Sequence, residues 1–438
     1  MNAWANATIR VTTGGAPVTD AGVARAIEAV WRLESARLIA GLTRVVRDVD
    51  LAEELAQDAL VAALEQWPAE GIPRNAGAWL MTAAKRRGID QLRRRSMLDR
   101  RHEQLAYDLG VAQATGGPDP GAALDDPVGD DLLGLVFIAC HPVLATEARV
   151  ALTLRLLGGL STAEIARAFL VAEPTIAQRI VRAKRTLRDA GVPFEVPRGE
   201  ALASRLPSVL EVVYLIFNEG YTATAGDDLM RPALCEEALR LGRVLAALVP
   251  GEPEVHGLVA LLEIQASRAA ARTGPDGAPV RLHEQDRARW DPLLIRRGLA
   301  GLERAGALGG ARGPYALQAA IAACHARART VEETDWRRIA SLYAELVHVV
   351  PSPVVELNRA VAVAMADGPD AGLAIVDALA GEPALARYHL LPGVRGDLLE
   401  RLGRYDEARA EFERAAALTA NTREQVLLRD RARRCTGG

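Results

Sequence analysis

Hydrophobic residues recur at helical spacing along almost the whole chain. In residues 21–97 they fall three and four positions apart, and the pattern is interrupted by Pro68, Gly71 and Pro73. This periodicity predicts amphipathic helices, and the interruption predicts one central loop. No strand-like alternation of useful length is present. The sequence therefore predicts an all-α fold.

The same pattern divides the chain into segments. Residues 98–131 are rich in glycine, proline and acidic residues, which favours an extended acidic linker. Helical spacing resumes at Leu132 and stops at Gly191 and Pro193, a combination that ends helices. The predicted organisation is a flexible tail at 1–20, a domain at 21–97, a linker at 98–131, a domain at 132–192 and a helical extension at 193–438.

A weak internal repeat lies near the C-terminus. Gly368, Asp370 and Leu373 recur 35 residues later as Gly403, Tyr405 and Ala408. A period near 34 residues is typical of tetratricopeptide-like helix pairs, in which each repeat buries its apolar face against its neighbours. We therefore expect tetratricopeptide-like packing in about residues 330–425.

Composition narrows the class of protein. Half of the 438 residues are apolar and only 4% are aromatic, as is typical of packed helices. The net charge of -3 argues weakly against nucleic-acid binding, but the basic residues are locally clustered. The four cysteines are far apart in sequence, so a reducing cytoplasm fits better than a disulfide framework. The pattern predicts neither an export signal nor a membrane span.

Residues 160–176 carry the strongest functional signal. Ser161 and Glu164 have the spacing of a capping box, residues 171–173 make a short turn, and Pro174 suits the start of a second helix. This arrangement predicts a helix-turn-helix. Two helices joined by a tight turn are also a common packing unit, so the motif by itself leaves DNA binding open.

The second helix of this motif is predicted to be apolar on one side and basic on the other. Its buried stripe comprises Ile176, Ile180, Ala183 and Leu187. Such a helix can enter the major groove, where early residues reach base edges and later basic residues reach phosphates. A solvated helix face is the alternative. The predicted DNA contacts are Thr175, Gln178, Arg179, Arg182, Lys184 and Arg185.

Residues 79–95 predict a second basic helix. Leu80, Ala84 and Leu92 share one stripe. A different stripe carries Arg86, Arg93 and Arg94 together with Asp90. A charge run is often only a solvated face, and Asp90 can pair with arginines one turn away. Two basic helices in separate domains nevertheless favour a protein that contacts two DNA sites.

Three segments, in this order, resemble the extracytoplasmic-function sigma factors, which are sigma-70-type subunits of bacterial RNA polymerase. Residues 50–60 (DLAEELAQDAL) and 79–95 are similar to region 2, and the helix-turn-helix is similar to region 4. The resemblance implies that residues 50–65 dock on core polymerase. Acids near a helix start are also favoured by the helix dipole. The implied polymerase contacts are Asp50, Glu53, Glu54 and Asp58.

The resemblance also implies that residues 68–95 bind the promoter -10 element and that region 4 reads the -35 element. Promoter opening captures unstacked bases and requires no covalent chemistry. No catalytic residue, cofactor or metal is therefore expected, and the chain is not predicted to be an enzyme. The implied contacts to the -10 element are Trp79, Lys85, Arg86, Gln91, Arg93 and Arg94.

The extension resembles that of a sigma-factor subgroup with a tetratricopeptide-like domain, and residues 218–221 (NEGY) fit that subgroup. Helical-repeat surfaces bind peptides or proteins, so we expect the extension to contact the core domains or polymerase and to regulate activity. Two alternatives to a sigma factor remain open. The first is a helix-turn-helix regulator that binds DNA without polymerase, which would not explain residues 50–95. The second is a helical-repeat scaffold without a DNA role, which would not explain the two basic helices.

Overall fold

The computed structural model describes residues 20–96, 127–169, 171–223, 225–226, 229–274 and 278–435. The chain forms two units, residues 1–212 and 213–438. The predicted tail and most of the predicted linker lie outside the described residues. Within the described ranges, no helix combines the length and the apolar character that crossing a membrane requires.

The N-terminal unit is built from helices joined by short connections. Their bounds are α1 Asp20–Val46, α2 Val49–Glu70, α3 Ala76–Ser96, α4 Pro127–Ala139, α5 Thr146–Leu156, α6 Thr162–Phe169 and α7 Glu173–Asp189. A further helix, α8, spans Glu200–Tyr221 and contains the boundary between the two units. Helix α1 packs against α2, α3 and α4, so it connects the two predicted domains of this unit.

Local sequence signals explain where α2 begins and ends. The Asp48 carboxylate accepts hydrogen bonds from the backbone N–H groups of Asp50 and Leu51, at 2.8 and 3.1 Å, and so caps the helix. Pro68 lies inside the last turn, and the helix ends at Glu70. The next residue, Gly71, caps it with a φ of 86°, which suits glycine. The predicted loop is therefore present, but it begins after Glu70 and Pro68 lies within the helix.

The second predicted domain differs from expectation at its two ends. Helix α4 starts at Pro127, ahead of the predicted start at Leu132. At the other end, residues beyond Gly191 pack back onto α4 and α5. The Ser208 hydroxyl donates to the Cys140 carbonyl at 2.6 Å, and Arg205 donates to the Phe137 carbonyl at 3.0 Å. The glycine and proline residues at 191–193 therefore turn the chain but do not end the packed unit.

The C-terminal unit is also helical. Its helices after α8 are α9 Pro232–Leu248, α10 Pro253–Ala266, α11 Pro292–Ala307, α12 Pro314–Arg327, α13 Trp336–Val349, α14 Pro353–Asp367, α15 Pro369–Ala378, α16 Leu390–Arg401, α17 Tyr405–Leu418 and α18 Thr422–Arg434. Two short strands, β1 Ala225–Gly226 and β2 Ala420–Asn421, pair in parallel. The prediction of an all-α fold is confirmed, apart from this two-residue pairing and an isolated bridge between Thr273 and Pro279.

The predicted repeat corresponds to two helix pairs, α14–α15 and α16–α17. Gly368 and Gly403 both occupy the turn within a pair, with φ of 106° and 73°. Leu373 and Ala408 are both buried in one hydrophobic core that also contains Phe412. The recurring residues therefore share structural roles, which is what stacked helical repeats require.

Residues 218–221 end α8 against the start of α9. Glu219 forms an ion pair with Arg231, and the Arg231 N–H donates to the Gly220 carbonyl at 2.7 Å. A Cβ atom on Gly220 would lie 2.6 Å from the Cys235 backbone nitrogen and 2.9 Å from the Leu234 Cβ. The NEGY segment therefore needs glycine because two backbones approach closely there.

Replacing Gly220 by alanine is expected to destabilise the C-terminal unit by about 1–3 kcal/mol, because the added methyl group meets backbone that cannot rotate away. The measurement is urea unfolding followed by hydrogen exchange of α8 and α9. Gly306→Ala is the matched control, since a Cβ there meets nothing within 4 Å. Equal effects of the two substitutions would contradict the close-approach explanation.

Candidate nucleic-acid and polymerase interface

The helix-turn-helix forms as its sequence predicts. The Ser161 N–H donates to a Glu164 carboxylate oxygen at 2.8 Å, and the Glu164 N–H donates to the Ser161 hydroxyl at 3.2 Å. These reciprocal bonds are the capping box. Helix α6 ends at Phe169, and α7 begins at Glu173 with Pro174 in its first turn.

Helix α7 buries the stripe that was predicted for it. Ile176, Ile180, Ala183 and Leu187 are all buried, which fixes the rotation of α7 against α5 and α6. Because of this rotation, the polar side chains of the first half of α7 point away from the core. Thr175, Gln178 and Arg182 are exposed, and Arg179 is partly exposed.

An open groove of about 340 Å³ lies beside the first half of α7. Its other wall is apolar and comes from the turn before α5 and the first turns of that helix, including Val143 and Ala148. The wall on α7 carries Thr175, Gln178, Arg179 and Arg182. Four predicted DNA contacts therefore share one accessible surface of donors and acceptors, which suits contact with base edges and phosphates.

The second half of α7 behaves differently. The Arg185 side chain is exposed and lies 3.4 Å from Asp189 on the same helix. The Lys184 side chain, in contrast, is only 11% exposed. Its Nζ lies 2.8 Å from an Asp50 oxygen and 2.5 Å from a Glu53 oxygen. One predicted DNA contact is therefore paired with two predicted polymerase contacts.

Two more cations, one from α5 and one from α7, contact the acids at the start of α2. The Arg155 Nε donates to Glu53 at 2.5 Å, and Arg188 contacts Asp50 at 3.2 Å and Asp48 at 3.4 Å. Arg155 is not among the residues predicted from sequence, because it lies 102 positions from Glu53 and such a pair leaves no local signal. We call Asp48, Asp50, Glu53, Arg155, Lys184 and Arg188 the α2–α7 ion cluster.

The pKa values of the two acids reflect this environment. Burial alone raises the pKa of Glu53, but the charges and hydrogen bonds of Lys184 and Arg155 outweigh it and hold the pKa below its ordinary value. The hydrogen bond from Lys184 is the main cause of the lowered pKa of Asp50. Both carboxylates are therefore ionised at neutral pH.

The other predicted polymerase contacts are more accessible than Glu53. Glu54 is exposed and Asp58 is partly exposed, whereas Glu53 retains only 4% of its exposure. The Gln57 side chain also donates to Glu53 at 2.7 Å. An incoming protein can therefore reach Glu54 and Asp58 more readily than Glu53.

The predicted -10 contacts lie on α3. Trp79 packs edge to face against the buried Trp67, with ring centroids 5.2 Å apart, so it contributes to the core as well as to the surface. Lys85 and Arg86 are exposed. Gln91, Arg93 and Arg94 belong to α3, but their side chains lie outside the described part of the structure.

Three family models match parts of the chain. Residues 31–97 match sigma-70 region 2, residues 135–187 match sigma-70 region 4, and residues 205–306 match a family of unknown function, DUF6596. A curated protein of Rhizobium meliloti (strain 1021), which is named as uncharacterized, is 45% identical over 401 residues. The match covers 89% of this chain and 90% of that protein.

A helix-turn-helix that follows a separate basic helical domain is typical of a DNA-binding protein. The matches to sigma-70 regions 2 and 4 identify a transcription initiation factor and not an enzyme. The family matches identify which class of initiation factor this is. The chain belongs to the sigma-70 family, and it is a factor of the extracytoplasmic-function type with a helical C-terminal extension. Its role is promoter recognition, and its partners are core RNA polymerase and promoter DNA.

Proposed function

We propose that this sigma factor docks on core polymerase through the acids of α2, reads the -35 element with α7, and binds and opens the -10 element with α3 and the loop before it. The proposed polymerase contacts are Asp50, Glu53, Glu54 and Asp58. The observation that carries the proposal is the accessible surface on α7, where Arg179 and Arg182 stand beside an open groove. Side chains at this end of a recognition helix reach base edges in the major groove.

Region 2 supports the other half of the proposal. Lys85 and Arg86 are exposed on α3, where they can hold the phosphate backbone of a melted strand. Asn75 begins this helix by accepting a hydrogen bond from the Ala78 N–H at 3.0 Å. The loop before α3 is thus attached to a fixed helix start.

Run-off transcription tests the proposal. Core RNA polymerase from the host is supplied with genomic promoter fragments, with and without the full chain, and specific transcripts are expected only when the chain is present. DNA binding that is specific without polymerase would favour a stand-alone regulator. Polymerase binding without specific DNA binding or transcription would favour a helical-repeat scaffold.

We also propose that the C-terminal extension regulates this activity by contacting the sigma domains or polymerase. The helix pairs from α14 to α17 support this role, because stacked helical repeats present extended surfaces for proteins. A chain that ends at Val212 is the appropriate truncation, because a cut after Gly191 would also remove Arg205 and Ser208 from the N-terminal unit. Unchanged promoter-specific transcription by this truncation, in vitro and in cells, would remove the regulatory proposal.

A further inference from the structure

The C-terminal unit contains a series of alternating cationic and aromatic side chains. The guanidinium carbon of Arg272 lies 3.7 Å from the centre of the Tyr221 ring, and that of Arg268 lies 5.9 Å from the same ring. Arg268 also lies 5.7 Å from the centre of the Trp290 ring, and Arg287 lies 5.1 Å from it. Arg268 is therefore linked to two further cations through two rings. We call these five residues the arginine stack.

The three guanidinium groups of the arginine stack are held by neutral groups. In the part of the chain that the structure describes, none of Arg268, Arg272 and Arg287 forms an ion pair with a carboxylate. Their hydrogen-bond acceptors are the Gln265 side chain, the Tyr221 carbonyl, the Thr222 hydroxyl at 2.9 Å, the His325 and Ala328 carbonyls at 2.6 Å each, and the Thr334 hydroxyl at 3.0 Å. These bonds fix the cations in place without neutralising them.

Buried polar atoms in and beside the arginine stack lack hydrogen-bond partners. Arg268, Gln285 and His325 are only 8%, 8% and 7% exposed, and each has one side-chain nitrogen or oxygen without a partner. The Nε atom of Arg287 and the indole nitrogen of Trp290 are also unpaired. Since most buried polar atoms in proteins are paired, this group of five indicates that the neighbourhood serves more than packing.

The electrostatics of the stack favour a negative charge. Burial lowers the pKa of both Arg272 and Arg287, and the charge of Arg268 lowers both further. Burial, together with Arg268 and Arg287, lowers the pKa of His325 to about 3, so this imidazole is neutral. The acids that attract the stack from longer range are Glu332, Glu333 and Glu424. The buried positive charge is therefore only partly balanced, which is unfavourable away from water.

We propose that the arginine stack is a binding site for a small anionic molecule, whose phosphate or carboxylate group binds against Arg268. The rings of Tyr221 and Trp290 are already covered by guanidinium groups, so they hold the cations and do not stack on the ligand. Arg268 is almost completely buried, which favours a small group over the surface of a folded protein. Tyr221, Arg272 and Arg287 are partly exposed and form the accessible part of the site.

This inference goes beyond the proposed function, because it assigns a small-molecule ligand to the C-terminal extension. The site joins the end of α8, residues 268–272 after α10 and residues 285–290 before α11. Binding loses little conformational freedom, since the guanidinium groups are already ordered by their hydrogen bonds. A bound anion would therefore hold these three segments together.

Calorimetric titration of the full chain with inorganic phosphate, and separately with succinate, tests the site at constant ionic strength. Saturable binding of at least one probe is expected, with a Kd of about 1 mM or tighter. Tighter binding of phosphate would assign a phosphate-bearing ligand, and tighter binding of succinate would assign a carboxylate-bearing one. Absence of saturable binding of both probes would overturn the proposal.

Replacing Arg268 by methionine removes the central charge and keeps an unbranched apolar side chain. The variant is expected to weaken binding of the probe at least about tenfold, because a charge-assisted contact is lost. Arg296→Ala combined with Arg297→Ala is the control, since these exposed arginines lie on α11 of the same unit and outside the stack. Equal weakening by both variants would show a general effect of charge and would overturn the site.

Hydrogen exchange of the unaltered chain locates the site without any substitution. A saturating concentration of the bound probe is expected to slow amide exchange at least about threefold in residues 265–291 and at the end of α8, and to leave α16 and α17 unchanged. Protection that is absent from these segments, or equal throughout the unit, would overturn the assignment. None of these measurements uses polymerase or DNA, so failure of the proposed function would not affect them.

Discussion

Replacing Arg179 and Arg182 by alanine is expected to abolish specific run-off transcripts while leaving polymerase binding unchanged. The two side chains line the accessible groove on α7, and each contact to a base or phosphate contributes about 1–3 kcal/mol. Losing both should weaken -35 recognition roughly 30-fold or more. The measurements are transcript yield and co-elution of the variant with core polymerase.

The control for this experiment is Arg296→Ala combined with Arg297→Ala. These two arginines are also exposed, and their replacement removes the same charge from α11 in the C-terminal unit. Equal loss of transcription from both double variants would show that total charge, and not the surface of α7, decides promoter recognition.

Replacing Trp67 by alanine should destabilise the N-terminal unit by about 3–5 kcal/mol, the usual cost of removing a buried aromatic side chain. Trp67 is only 2% exposed, and its ring supports Trp79 on α3. A cost of this size is a large part of the stability of a typical domain. Urea unfolding, followed by hydrogen exchange of amides in α2 and α3, measures it.

Leu64→Ala is the matched control on the same helix. Leu64 is 47% exposed, so its truncation should change stability by less than about 1 kcal/mol. If Leu64→Ala costs as much as Trp67→Ala, the assignment of Trp67 to the core between α2 and α3 is wrong. If only Trp67→Ala reduces transcription, the loss is explained by the displaced support of α3.

The helix-turn-helix was predictable from sequence because its determinants are close neighbours along the chain. The capping box requires Ser161 and Glu164 three positions apart, and the stripe from Ile176 to Leu187 follows the period of a single helix. The structure confirms both. Which residues contact DNA or polymerase stays a prediction, because accessibility suggests a contact but does not identify its partner.

Other features depended on residues that are distant in sequence. The glycine and proline at 191–193 predict a domain end, yet Arg205 and Ser208 beyond them donate hydrogen bonds to backbone carbonyls at the end of α4. Such a pair of residues shows where a helix stops, but it does not show where the packing of the domain stops. The resemblance to the sigma factors implies a promoter contact for Trp79. In the structure it also packs against Trp67, a contact that appears only when α2 and α3 come together.

The sequence by itself determined the helical class, the helix-turn-helix, the glycines of the repeat and the resemblance to the sigma-70 family. All of these follow from patterns within about one helix or one repeat, where backbone geometry sets which side chains are neighbours. Only the tertiary structure decided the partners of Lys184 and Glu53. Asp50 and Lys184 lie 134 positions apart, and a charge in a sequence does not specify which opposite charge will face it once the chain is folded.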